Sequence, residues 1–166
     1  MPLYLNDLDV TAEVEDAKSV LIVPCRTCPA TSLAVRNNKP VFEFFKTFLR
    51  SPPLDHHIKI LQSRLEAMGL KTGVYLSRQF LACAWTSGER KRLLKRAKQF
   101  DTVIVLGCDS ATESVRDALK SIDCKVVQGM EIAGIVNVKV KFHFPGTLTL
   151  EDSRIIKGGR KINERE

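Results

Sequence analysis

No stretch of this 166-residue chain stays apolar for the ~20 residues that a membrane-spanning helix needs. The opening residues, Met1-Pro2-Leu3-Tyr4-Leu5-Asn6-Asp7, carry neither the basic nor the apolar segment of an export signal. The expectation is a cytoplasmic protein, neither embedded in a membrane nor exported. No ladder of aromatic residues accompanies the basic segments, so the reading of nucleic-acid sequence has no support. Gly-x-Gly-x-x-Gly and the phosphate-binding Gly-Lys-Ser/Thr loop are both missing, which leaves nucleotide binding without a signal. No nucleophile–histidine pair, carboxylate pair or general base justifies naming a reaction, and no internal repeat or low-complexity segment is visible.

What is present is ordinary in bulk. The chain is 44% hydrophobic and 27% charged, long enough for one domain with its own core. Its net charge of +7 favours an acidic partner but does not bear on fold. Five cysteines are more than packing needs, and a reducing cytosol disfavours disulfides, so metal binding or thiol reactivity gains weight.

Ser19 to Val23 is a short β-branched apolar run that reads as a buried strand, and Pro29 suits the first turn of a following helix. Pro40 opens a helical stretch from Val41 to Leu49, which Pro52-Pro53 must end. Leu54 to Met68 has helical spacing, with Gly69 as its C-terminal cap. Thr72 to Ser77 is a second strand. Thr86 and Glu89 have capping-box spacing ahead of a basic helix to Phe100, with Leu93, Leu94 and Ala97 inward. Thr102 to Leu106 is a third strand, followed by a helix from about Thr112 to Ile122 and a short strand, Lys125 to Val127.

This alternation predicts an α/β fold: three-layer, with a mainly parallel open sheet of the Rossmann-like or flavodoxin-like kind. From Val136 to Phe144 the pattern changes to period two, which predicts an antiparallel C-terminal edge strand. Residues 1–150 are expected to form the single α/β domain, and residues 151–166 a polar, loose tail.

The cysteines follow from that framework. Cys25 and Cys28 lie past the carboxyl end of the first strand and Cys108 past that of the third. Cys83 falls in the loop between the second strand and the basic helix. Open α/β sheets gather their ligands along this edge, so residues separated by 54 and 24 positions are expected to meet there. Cys124 precedes the fourth strand, at the opposite edge, and is left out. Helix starts after Cys28, Cys83 and Cys108 would favour thiolates, helped by Arg26, Arg78 and Arg90. The plain alternative is that the thiols are buried as small hydrophobes.

Four thiolates suit a 4Fe–4S cluster or zinc. Structural zinc usually draws two close cysteine pairs, and the second pair is absent here. A chain of this size also needs no metal to fold, and both points favour iron–sulfur.

Leu21 to Cys28, Arg78 to Cys83 and Val103 to Ser110 carry a resemblance to the C-terminal domain family associated with methylenetetrahydrofolate reductase, the MetV-type accessory subunit of some anaerobes and archaea. In order of cysteines the chain is similar to that family from about Ser19 to Gly134. It departs in the Pro40–Met68 insertion and in lacking the family's cysteine-rich C-terminus. The resemblance implies an iron–sulfur accessory subunit passing electrons to or from a partner redox enzyme such as a flavoprotein, without carrying over the reductase activity.

Two other readings stand beside it. Cys25 and Cys28 fit a thiol–disulfide or sulfur-transfer enzyme of thioredoxin arrangement, with Phe144-Pro145 as a cis-proline turn. Alternatively, the cysteines hold structural zinc in a partner-binding module. The Arg90–Lys98 helix is a docking face for an acidic protein or simply a solvated face. His56 and His57 point apart and read as surface residues. Asp109 or Ser110 reads as a helix N-cap, and Trp85 as core or as a shield for the site.

Overall fold

A computed structural model describes residues 2–43 and 50–157. Its centre is a parallel sheet of β2 (Ser19–Pro24), β4 (Lys71–Val74), β5 (Thr102–Leu106) and β6 (Lys125–Gln128), in the order β4-β2-β5-β6. Val20 to Val23 and Val103 to Val105 are completely buried. That is why these strands read as unbroken apolar runs, and each such side chain contributes roughly 1.5–3 kcal/mol of burial.

The chain leaves β2 toward β4, then returns across β2 to β5 and continues to β6. The winding therefore reverses between β2 and β5, and a crevice outside the carboxyl ends is a consequence of such a reversal. Helix α1 (Cys28–Asn37) and α2 (Pro52–Ala67) pack together between β2 and β4, while α3 (Ser87–Ala97) packs on α4 (Asp109–Leu119).

The expected cap of α2 forms. Gly69 adopts φ +86°, a left-handed conformation that ends the helix without the strain a side chain would bring. Pro52 and Pro53 open α2 itself, because a first turn has no use for their missing amides. Of the expected Val41–Leu49 helix only the start is corrected, since Phe42–Glu43 is strand β3; residues 44–49 lie outside the described residues.

The larger correction concerns the antiparallel part. It is not an edge strand of the parallel sheet but a second four-stranded sheet, β1-β7-β8-β3. It consists of β1 (Leu3–Asp7), β7 (Met130–His143), β8 (Thr147–Ile156) and β3. The alternating Val136–Phe144 segment lies in β7 as far as His143 and pairs with β8, while the first part of β7, Met130 to Ile135, pairs with β1. Residues 151–156 belong to β8 and not to a loose tail. Their ladder to β7 satisfies the backbone, so a polar sequence can be a strand. The remainder of that segment lies outside the described residues.

Candidate functional site at the carboxyl edge

Three of the four predicted cysteines sit just past the ends of strands, and Cys83 lies farther along the chain. Cys25 follows β2 directly, and its amide donates to the Leu106 carbonyl at the end of β5, at 2.8 Å. Cys108 is the N-cap residue of α4, with the Thr112 amide donating to its carbonyl at 3.0 Å. It takes the place expected of Asp109 or Ser110. Asp109 accepts from the Gln128 side chain instead, at 3.1 Å. Cys28 opens α1. Cys83 lies in a single 3-10 turn, Ala82–Ala84, that packs against α4.

Gly107 makes the meeting possible. A Cβ there would lie 2.8 Å from that of Ala111 and 3.3 Å from that of Cys25, so a side chain would force the β5 turn away from Cys25.

The thiols differ in exposure: Cys25 and Cys108 are buried, Cys28 is half-buried and Cys83 is exposed. Burial pushes the Cys25 thiol above its ordinary range. The nearby Cys83 and Cys108 add to this, while the Ala82 and Thr27 amides oppose it. Its Sγ also faces the Phe80 carbonyl at 3.7 Å. Cys28 is raised likewise, first by burial and then by Cys25, Cys108 and Cys83, against an opposing bond from the Leu3 amide. Cys25 and Cys28 thus each lie within electrostatic reach of the other three thiols. Cys124 is separate: burial and then Asp101 and Asp123 push it up to about 11. Among the described residues, no three or more His, Cys, Asp or Glu side chains are placed so as to hold a metal ion.

Two of the arginines expected to support the thiolates, Arg26 and Arg90, have other partners. Arg90 pairs with Asp117 at 2.6 Å, and its Nε reaches the Trp85 carbonyl at 3.4 Å. Arg26 lies over the Phe80 ring, 4.4 Å from its centroid, and donates to the Ser77 carbonyl. Arg92 and Arg96 of the basic helix are also engaged, with Glu89 and with Gln99. Leu93 and Ala97 face the core as expected, while Leu94 is only half-buried.

The capping box does not form. Gln79 takes the Thr86 hydroxyl at 2.9 Å and accepts from its amide. Glu89 instead turns inward, its side chain 1% exposed. It accepts from the Tyr75 hydroxyl at 2.7 Å, the Arg78 amide at 3.3 Å and Arg92 at 3.0 Å. Burial alone would raise this carboxyl. The bonds from Tyr75, Ser77, Arg78 and Arg92 outweigh it and hold the group below its ordinary range. Glu89 thus anchors the loop that leads to Phe80 and Cys83, a role its capping-box spacing concealed.

Trp85 belongs to the core, its ring edge-on to Tyr75. His57 is not a surface residue. It is half-buried, with Nε2 3.5 Å from Asp7, and burial lowers its basicity against the pull of Asp7. The Phe144–Pro145 peptide is cis, but it belongs to the tip of the β7–β8 hairpin, where Phe144 is 92% exposed.

Fold and site together define a mixed α/β protein with a cluster of free thiols at the carboxyl edge of a parallel sheet. No helix among the described residues is long and apolar enough to cross a membrane. No protein-family model, curated protein or solved structure matches the chain.

Proposed function

We propose that the chain is an iron–sulfur accessory subunit, of three-layer Rossmann-like architecture, that exchanges electrons with a partner redox enzyme. The observation that supports the reading is the placement of Cys25, Cys28 and Cys108 past the carboxyl ends of β2 and β5, with Cys83 in the 3-10 turn packed on α4 and felt electrostatically by Cys25 and Cys28. Buried thiols that disfavour one another's ionisation are a poor arrangement without a cation and a favourable one with it, because a metal stabilises the thiolates. As placed among the described residues the four thiols do not form a ready metal cage, so the reading requires Cys83, the exposed one, to close on the other three when the cluster binds. The Ala82, Thr27 and Leu3 amides aimed at Cys25 and Cys28 stabilise the negative charge of a thiolate-ligated cluster and tune its potential.

When bound, a 4Fe–4S cluster supplies one-electron transfer. The chain's own contribution is to hold the four sulfurs, donate the amides and exclude water from Cys25 and Cys108. The MetV-type likeness in the order of the cysteines supports a subunit working beside a flavoprotein or similar enzyme in one-carbon metabolism.

Structural zinc is the alternative that uses the same four ligands. The thiol–disulfide reading uses only Cys25 and Cys28. A reactive thiol of that kind is accessible and has a lowered pKa, whereas Cys25 is buried and raised.

Anaerobically purified protein should be brown and contain iron and acid-labile sulfide. Cys83→Ala should lose the metal, and Cys124→Ala should keep it. Colourless protein without iron after cluster reconstitution would sink the proposal, and one zinc per chain would replace it with the structural site.

A further inference from the structure

The basic residues of α3, together with Lys98 that caps it, fall into two groups. The arginines are held within the fold: Arg90 pairs with Asp117, Arg92 with Glu89, and Arg96 donates to Gln99. Lys91, Lys95 and Lys98 are exposed and have no hydrogen-bond or ion-pair partner among the described residues. Spacings of four and three residues put them on one line of the helix surface, about 10 Å long. The acids of α3 and α4 are already taken. Glu89 is buried and bonded to Arg92, Asp109 accepts from Gln128, Glu113 pairs with Arg116, and Asp117 takes Lys120 as well as Arg90. A line of three positive charges is left without a counter-charge among the described residues.

The place of this line and its residue type both bear on its use. Helix α3 begins three residues after the Ala82–Ala84 turn that carries the exposed Cys83, so it runs from the accessible side of the candidate site. Arginine grips an anion with a planar fork, whereas lysine is a hydrated point charge on a flexible stem. Arginines kept for internal pairs and lysines left outside suit a contact that charge steers together and that parts readily. Proteins that exchange electrons make small, short-lived contacts of that kind. No residue of α3 is aromatic, so the helix has nothing on which a base could stack, and a protein fits it better than a nucleic acid.

We propose that Lys91, Lys95 and Lys98 form the docking stripe for an acidic protein, the partner redox enzyme itself. The partner's role rests on the iron–sulfur reading; the charge of its docking face rests on the stripe alone. Exposed ion pairs are individually weak and screened by salt, so the complex is modest in affinity and strongly salt-dependent.

The test has two arms. In the first, fluorescence anisotropy of the whole, metal-free protein at low ionic strength uses a labelled helical peptide with glutamates at spacings of four and three. A single-stranded oligonucleotide of the same net charge is titrated beside it. Replacing Lys91, Lys95 and Lys98 together by glutamine should weaken the peptide about tenfold, the scale of three exposed pairs, and leave the melting temperature unchanged. Replacing the exposed Lys39, Lys59 and Lys157 by glutamine removes as much net charge and should change binding by less than about twofold. No binding of the peptide overturns the proposal, as does an equal loss in the two triple variants. Tighter binding of the oligonucleotide that also depends on the stripe overturns it in favour of a nucleic acid. In the second arm, electron transfer from iron-loaded protein to an acidic flavodoxin should slow about tenfold in the stripe variant, with the reduction potential unchanged. An unchanged rate overturns the assignment to the redox partner. Protein that takes up no iron refutes the iron–sulfur reading and leaves the first arm to decide the stripe, so the two failures are distinct.

Discussion

The amide of Cys25 donates to the carbonyl of Leu106 at 2.8 Å, which fastens the residue after β2 to the last residue of β5. Gly107 follows with no side chain, and Cys108 with its thiol. Gly107→Ala should therefore act on both strands at once. A new methyl 2.8 Å from the buried Ala111 Cβ should cost about 1–3 kcal/mol as overpacking. It should also lower the iron bound per chain by separating Cys25 from Cys108. A urea midpoint and iron content both equal to wild type would refute the claim that this contact sets the spacing.

The thiols should be distinguishable by alkylation. In metal-free protein, Cys83 should react with iodoacetamide first, and Cys25 and Cys108 only as fast as the chain opens, because one is exposed and two are buried. Peptide mapping of modified cysteines against time gives the order. Equal rates at Cys83 and Cys25 would contradict the packing.

Metal-free protein should also lose stability as the pH climbs through 9, the ordinary thiol value. The unfolded chain releases its thiol protons there while Cys25 and Cys28 retain theirs. The native state then binds more protons, and stability falls with pH. Cys25→Ala should flatten part of the decline in urea midpoint above pH 9. A midpoint that does not fall there would refute it.

Glu89 should matter more than a surface capping residue. Glu89→Gln removes the charge from a carboxylate that accepts from Tyr75, Arg78 and Arg92, at an expected cost of about 2 kcal/mol, against about 1 kcal/mol for Tyr75→Phe. Because the folded carboxyl is held below its ordinary 4.5, its contribution is present above that pH and lost as acid protonates it. Chemical denaturation of the two variants gives the comparison, and a Glu89→Gln cost no larger than that of a typical exposed substitution would place the carboxylate outside the core.

His57 gives a second, milder acid response. Burial keeps its ring neutral in the fold more than in the unfolded chain, despite Asp7 at 3.5 Å. Stability should then fall as the pH drops below 6.5, and His57→Gln should remove that part of the slope. A slope between about pH 7 and pH 5.5 unchanged by the substitution would assign it to other groups.

Much of the parallel sheet was legible because β2 and β5 are buried on both faces, and burial leaves only apolar residues to choose from. Of the candidate site, the positions of Cys25 and Cys108 were legible, since they follow the ends of the neighbouring strands β2 and β5. The second sheet was not. Alternation in Val136–Phe144 identifies a strand but not its partners, and β1 is too short to announce itself. The segment from Glu151 to Ile156 is exposed throughout, so no apolar face betrays that it is paired. Thr86 and Glu89 misled for a different reason: the spacing allows a cap, but Gln79 competes for the threonine and the half-buried Tyr75 for the glutamate.

Helix α1 links the two sheets in a way that neither sheet shows alone. The Ser32 hydroxyl accepts from the Leu5 amide at 2.9 Å and donates to the Cys28 carbonyl at 2.8 Å, stitching β1 to the helix. Past the left-handed Asn38 that ends α1, the chain runs into β3, where Phe42 meets the Phe80 ring edge-on at 6.0 Å. Both outer strands of the antiparallel sheet are thus tethered to one rod, as a span is hung from a single beam. A tilt of that rod, by force or by a change at Cys28, would pull on both margins of the span together.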